Sequence, residues 1–194
     1  MMKAHLSTEE YLKTALPPDM TYTVIREGLY TESIPLYLGL YDVASKPSEV
    51  SIPPGDNDGP VAFTKRDELG EATAKIIKDV MFRGKESEFV NKSILLAAEP
   101  GCSLNSLGEL IGKILGTPPV KVNQIPPEEY AAPGSRAATL IGSPEMAMDW
   151  TTTYPAIGRG ETSYQGEGAD TLEKILGRKP ETVEVTVELM LKQK

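Results

Sequence analysis

The densest group of side chains able to bind or react is Tyr30-Thr31-Glu32-Ser33, which follows the β-branched and aromatic run Tyr22-Thr23-Val24-Ile25-Arg26 and the dipeptide Glu27-Gly28. A phenol, two alcohols and a carboxylate at a strand exit could orient a polar ligand, because open α/β sheets bind ligands outside the carboxyl ends of their strands. An ordinary polar loop is the competing reading. His5 and Glu9 stand four residues apart, so on a helix they share a face and could form an imidazole–carboxylate pair, or an unremarkable surface pair. Cys102 lies next to an expected helix start, where a thiol can be acidified; a lone cysteine also serves as a small buried hydrophobe. Trp150, Met146 and Met148 read as core or groove lining.

The common catalytic signatures are absent. No G-x-G-x-x-G follows a strand, and neither a P-loop nor a G-x-S-x-G elbow occurs. Gly158-Arg159-Gly160 has no strand before it and is not read as a phosphate loop. The chain of 194 residues holds one cysteine and one histidine, which excludes a disulfide framework and thiolate or histidine-rich metal sites. A formal charge of −8 makes nucleic acid and anionic membrane poor partners. No apolar run reaches the length of a membrane span, and the N-terminus lacks a signal-peptide core. These features imply a soluble, intracellular protein, expected in the cytoplasm.

The elements that would position the candidate residues can be read in order. Ser7-Thr8-Glu9-Glu10 fits a capping box, with His5 just before the helix or in an earlier turn, and Pro17-Pro18 stops it. Residues 22–26 form an expected buried strand. The proline- and glycine-rich residues 42–60 form a surface loop with a short strand at Val50–Ile52. Val61–Phe63 is a further short strand, and Thr64-Lys65-Arg66-Asp67 a second capping box. It would open a helix burying Leu69, Ala72, Ile76, Ile77 and Val80. Ser93–Ala98 reads as a buried strand followed by a Pro100-Gly101 turn. Ser103 then caps a helix carrying Leu104, Leu107, Leu110, Ile111, Ile114 and Leu115, which Gly116 closes. Val120–Val122 is strand, Pro126–Tyr130 opens a helix, residues 136–154 are broken helix, and Asp170–Leu176 is a short helix ended by Gly177. Residues 182–189 alternate as a strand would, yet Val183, Val187, Met190 and Leu191 also make a helical face. Strands alternating with helices indicate an α/β fold with a mainly parallel sheet, though the strands are few and the chain opens on a helix.

Three stretches carry a family resemblance. They are His5-x-x-Thr8-Glu9-x-x-Leu12; Tyr22-Thr23-x-x-Arg26-x-Gly28-x-Tyr30-x-Glu32; and Thr64-x-x-Asp67-x-x-x-x-Ala72. Together they resemble the NmrA-like atypical short-chain dehydrogenase/reductases, in particular their NAD(P)H-dependent quinone oxidoreductase branch. Thr171-Leu172-x-x-Ile175-Leu176-Gly177-Arg178-x-Pro180-x-Thr182 fits the same branch, where it precedes a last helix.

The resemblance implies the C-terminal part of a Rossmann-like doubly wound fold plus a mostly helical substrate-binding subdomain. Residues 1–33 and 61–98 would belong to the sheet, and 34–60 and 99–194 to the substrate side. The Gly-rich dinucleotide segment of the family would precede the matched region, so the chain reads as starting at the helix after the fifth strand. A shortened gene model is an alternative account. By the same resemblance His5, Glu27, Gly28, Leu29, Tyr30, Thr31, Glu32 and Phe63 are candidate residues for binding NADP or NAD, and His5 is the catalytic candidate. Tyr30, Thr31, Ser33 and Trp150 are the candidate substrate-binding residues. His5 falls at the family's lysine position and Met1 at its tyrosine position. The implied activity is hydride transfer to a quinone or similar carbonyl, protonated from solvent and weak or lost in this chain. A non-catalytic redox-sensing or interaction module is the alternative, with a protein partner or a second copy at an uncovered sheet edge.

Overall fold

The computed structural model describes residues 3–55, 59–98, 101–163 and 170–192. Met1, the Asp56-Asn57-Asp58 loop and Pro100 of the expected turn lie outside them. The chain opens with α1 (Lys3–Thr14), which begins a turn earlier than the capping box required. Ser7 and Thr8 are inside the helix, and the Thr8 hydroxyl donates back to the Ala4 carbonyl at 2.8 Å. A threonine satisfied in this way is no longer a cap.

Strand β1 (Thr23–Glu27) follows, half-buried over its first three residues and exposed at Arg26 and Glu27, not buried throughout as expected. It continues through Gly28 into β2 (Leu29–Tyr30), a 3-10 turn at Thr31–Ser33 and the short α2 (Ile34–Tyr37). Beyond the loop come β3 (Glu49–Ile52), β4 (Phe63–Thr64) and the long α3 (Arg66–Arg83). Thr64 does not cap α3. It lies in β4, where its Oγ1 accepts the Ala98 N–H at 2.8 Å, and the Glu32 carboxylate instead takes the Arg66 N–H at 3.2 Å. A carboxylate from another element is thus placed at the positive end of α3. Leu69, Ala72 and Ile76 are buried on the face of α3 that packs, whereas Ile77 points to solvent.

β5 (Lys92–Leu96) precedes α4 (Leu104–Leu115), in which Ser103 and Ser106 exchange hydrogen bonds with each other's backbone and Gly116 closes the helix in the left-handed region at φ 67°. α4 packs tightly on the chain entering β6 (Lys121–Gln124): a Cβ on Gly108 would sit 2.4 Å from the Val120 carbonyl oxygen. The broken helix resolves into α5 (Pro127–Tyr130), α6 (Arg136–Ile141), α7 (Pro144–Thr151) and α8 (Thr153–Gly158). α9 (Thr171–Leu176) is followed by α10 (Val183–Lys192), so the ambiguous end is helix, with Val187 and Leu191 buried.

All three strand pairs are parallel: β1 with β5, β2 with β4, and β3 with β6. This is the α/β class with few parallel strands that the alternation of elements indicated. One apolar cluster joins α4, α10, Ile34, Leu38, Val50, Ile52 and Phe63. Another fills the space between β5, α3 and α9, with Ile25 of β1 against it.

A polar clasp ties α3 to the C-terminal segment. Buried Glu68 accepts the Glu181 N–H at 2.9 Å and an ion-paired N–H from Arg178, whose other arm reaches Glu71 at 2.8 Å. Glu181 in turn accepts from Lys65 at 2.7 Å and from Thr186 at 2.6 Å. At the other end, Glu9 accepts both arms of Arg26, at 2.8 and 2.6 Å. The Arg26 hydrogen bond holds Glu9 below the ordinary carboxylate value of 4.5. Burial would raise Glu181, but Lys65 and Thr186 prevail and it too is lowered. Both shifts are downward, so their stabilisation is fully present above the unfolded value near 4.5 and is lost as pH falls through the lower folded values. The urea midpoint should therefore fall between pH 6 and pH 3. Glu181→Gln with Glu9→Gln should flatten that fall, which equilibrium unfolding followed by circular dichroism will measure.

Candidate functional site

The candidate loop forms where the carboxyl ends of β1, β4 and β5 meet. The Gly28 N–H donates to the Leu96 carbonyl at 2.7 Å, holding the chain to β5, and one residue later Leu29 pairs with Phe63 of β4. Only glycine allows this crossing. An added Cβ would lie 2.8 Å from Thr64 Oγ1, 2.9 Å from the Ala62 carbonyl oxygen and 3.4 Å from Ala97 Cα.

Beyond the crossing the side chains divide. The exposed Tyr30 hydroxyl donates to Glu27 at 2.9 Å, and this bond to a carboxylate raises the phenol above its ordinary value of 10.0. Thr31 is buried, Ser33 is half-buried, and Glu32 is turned to the N-terminus of α3. Glu27, Gly28, Leu29 and Tyr30 therefore form the accessible part of the loop, and Thr31 and Glu32 its support.

Phe63 is 2% exposed, behind the loop and not on its open side. Its ring meets Tyr37 edge-on at 5.8 Å, and Tyr37 meets Trp150 at 5.3 Å, giving a file of three aromatics from β4 to α7. Trp150 is therefore joined to the loop region through Tyr37, a residue that periodicity left unmarked. Its Nε1 is enclosed with the hydroxyls of Tyr130 and Tyr154, close enough for the three to interact. Of the reading of Met146 and Met148 as core or groove lining, the core half is excluded: both are exposed, because their helix buries Ala147 and Thr151 instead.

His5 is not brought into the loop. It lies exposed on α1, where it adds a weak charge effect to Glu9, and no hydrogen bond or ion pair joins it to residues 27–33 among the described residues. Glu9, its expected partner, is held by Arg26 instead. Cys102 bridges Val61 through backbone hydrogen bonds, and burial pushes its thiol up to about 11.

Two concavities lie elsewhere. One, of about 490 Å³, is bounded by Leu40, Val50, Ile125 and Tyr130; the other, of about 340 Å³, sits over the Glu68–Arg178 clasp. Among the described residues no group of histidine, cysteine and carboxylates could hold a metal ion, and no helix is long and apolar enough to cross a membrane.

This geometry is that of a Rossmann-like α/β fold, and solved structures share it. An NADPH-dependent quinone oxidoreductase (QOR2) from Escherichia coli superposes with a TM-score of 0.73 at 20% identity, covering 97% of this chain and 61% of its own. A Citrobacter sp. triphenylmethane reductase gives 0.70 at 22% identity, over 97% of this chain and 58% of that one. No protein-family model matches the chain.

In sequence, an NmrA-like family domain-containing oxidoreductase of Aspergillus flavus, flvB, is 33% identical over 180 residues, which is 93% of this chain and 52% of that protein. The chain is thus similar to an NmrA-like oxidoreductase over most of its own length, as its motifs indicated. It spans about half the length of that relative.

Two outcomes follow from the geometry. Gly28→Ala should destabilise the protein by about 1–3 kcal/mol, since the added methyl meets backbone that cannot move aside; thermal unfolding will measure the loss. Cys102 should react with iodoacetamide at pH 7.5 at least about 100-fold more slowly than a free cysteine, and at the ordinary rate once urea unfolds the chain. Mass spectrometry of timed samples reads both rates.

Proposed function

We propose that the chain is the substrate-side portion of an NAD(P)-linked oxidoreductase that reduces a quinone or similar carbonyl. The observation that carries this reading is the loop Glu27–Tyr30, held at the carboxyl ends of parallel strands in a chain similar to an NmrA-like oxidoreductase over 93% of its length. Support also comes from solved neighbours described as complexed with NADPH or NADP(H).

The residues present fit the nicotinamide end of such a cofactor. Gly28, closed against Thr64, Ala62 and Ala97, fixes the path of the loop, and Tyr30 and Glu27 offer a hydroxyl and a carboxylate to a ribose or amide. The dinucleotide, when bound, supplies a hydride to the substrate, and a solvent proton completes the reduction. In this reading Thr31 and Glu32 fix the loop, Glu32 by binding the N-terminus of α3, and Phe63, Tyr37 and Trp150 form the apolar wall behind the substrate.

Saturation-transfer NMR with NADPH tests the proposal. The nicotinamide and its ribose should receive saturation more strongly than the adenine, and Tyr30→Ala should reduce the effect several-fold. Turnover of a quinone by the chain alone should be slow or undetectable. Saturation confined to the adenine, or absent, would overturn the reading.

The alternative, a non-catalytic interaction module, is favoured by one observation: among the described residues β1 pairs with β5 alone, so its other edge carries no strand.

A further inference from the structure

Helix α3 has two apolar faces, and the fold uses one. Leu69, Ala72 and Ile76 pack toward β5 and α9. Gly70, Ala74, Ile77 and Met81 lie roughly 140° around the helix from them and face outward. Ile77 is 52% exposed, Met81 78% and its neighbour Phe82 81%. A Cβ on Gly70 would meet no atom within 4 Å. Neighbours in a helical layer touch a helix on its flanks, here at Lys75, whose ammonium reaches the Leu176 carbonyl of α9, and at Thr73 and Val80 opposite. The outward face is left to solvent or to another molecule.

The four positions are spaced 4, 3 and 4 residues apart, the repeat of a helix–helix seam. Along the seam size runs one way, from the bare Gly70 and small Ala74 to Ile77 and Met81. Charge runs one way as well. The first half of α3 carries Asp67, Glu68 and Glu71 against Arg66, and the second half carries Lys75, Lys78 and Arg83 against Asp79.

We infer that the outward face of α3 is a self-association surface, on which a second copy of the chain docks its own α3 antiparallel about a two-fold axis. Complementarity selects this occupant. A helix that fits must be bulky where α3 is bare, bare where α3 is bulky and basic where it is acidic, and α3 reversed is such a helix. A two-fold axis crossing between Lys75 and Ile76 sets Gly70 opposite Met81 and Ala74 opposite Ile77 of the other copy, so each layer joins one small and one large residue. It places the exposed Lys78 beside Glu71 of the other copy, whose side chain is 39% exposed and open to a further donor, and it opposes the two helix dipoles. The formal charge of −8 works against association, but it is spread over the whole surface and screened beyond about 8 Å, whereas these pairs are in contact. A single helix pair is a small interface, so the dimer exchanges readily with monomer. The inference does not depend on whether the loop at Gly28 holds a dinucleotide.

Sedimentation equilibrium of the full chain, from micromolar to submillimolar concentration, tests this and should show monomer and dimer in equilibrium. Met81→Glu, at a position already in solvent, should weaken the dimer at least tenfold while the circular dichroism spectrum and thermal midpoint stay unchanged. Oxidative cross-linking reads the register. Gly70→Cys mixed with Met81→Cys should form the mixed disulfide at least tenfold faster than Gly70→Cys links to itself, because reversal puts the two Gly70 positions at opposite ends of the seam. A chain that stays monomeric at every concentration would overturn the inference, as would a dimer indifferent to Met81→Glu or Gly70→Cys pairing fastest with itself.

Discussion

The bare backbone at Gly28 is the constraint from which the rest of the molecule is arranged. It lets one extended segment lie against β5 and, within a residue, transfer to β4, because three backbones come closer there than any side chain permits. That transfer sets where Tyr30 emerges and where Thr31 is buried. It also brings Glu32 to the first turn of α3, so that helix starts where a carboxylate 34 residues earlier in the chain can neutralise it. Beside the crossing, Thr64 of β4 accepts the amide of Ala98, two residues beyond β5.

The helix caps show what a local reading can and cannot reach. Ser103 and Ser106 bond within their own turn, so the start and end of α4 were legible from adjacent residues. Thr64 has the same local signature, yet its hydroxyl serves β5 and its capping role passes to Glu32. The competing partner lies 34 residues away and leaves no trace in the pattern. Ser7 and Thr8 failed for a different reason, since a helix able to start earlier absorbs them and back-bonding satisfies the threonine. The alternation at residues 182–189 could not settle its own conformation; burial of Val187 and Leu191 against α4 does.

The candidate site was legible in the same proportion. Residues 27–33 form one continuous segment, and both its composition and its place after a strand marked it. The file from Phe63 through Tyr37 to Trp150 joins elements far apart in sequence and becomes visible only when they pack. His5 and Glu9 met the spacing rule for a pair, but a guanidinium with two parallel donors outcompetes an imidazole for a carboxylate, and Arg26 is within reach.

The position of α10 has a consequence for how the protein is made. Val187 and Leu191 lie in the same cluster as Ile34 and Phe63, and Glu181 binds both Lys65 and Glu68. Contacts that close the core thus join residues more than a hundred positions apart, and the later partners emerge from the ribosome well after the earlier ones. Until they do, α4 and the Ile34 turn expose apolar surface that nothing made earlier covers. A nascent chain of this design cannot close its core until these distant segments meet, as expected for topologies dominated by distant contacts.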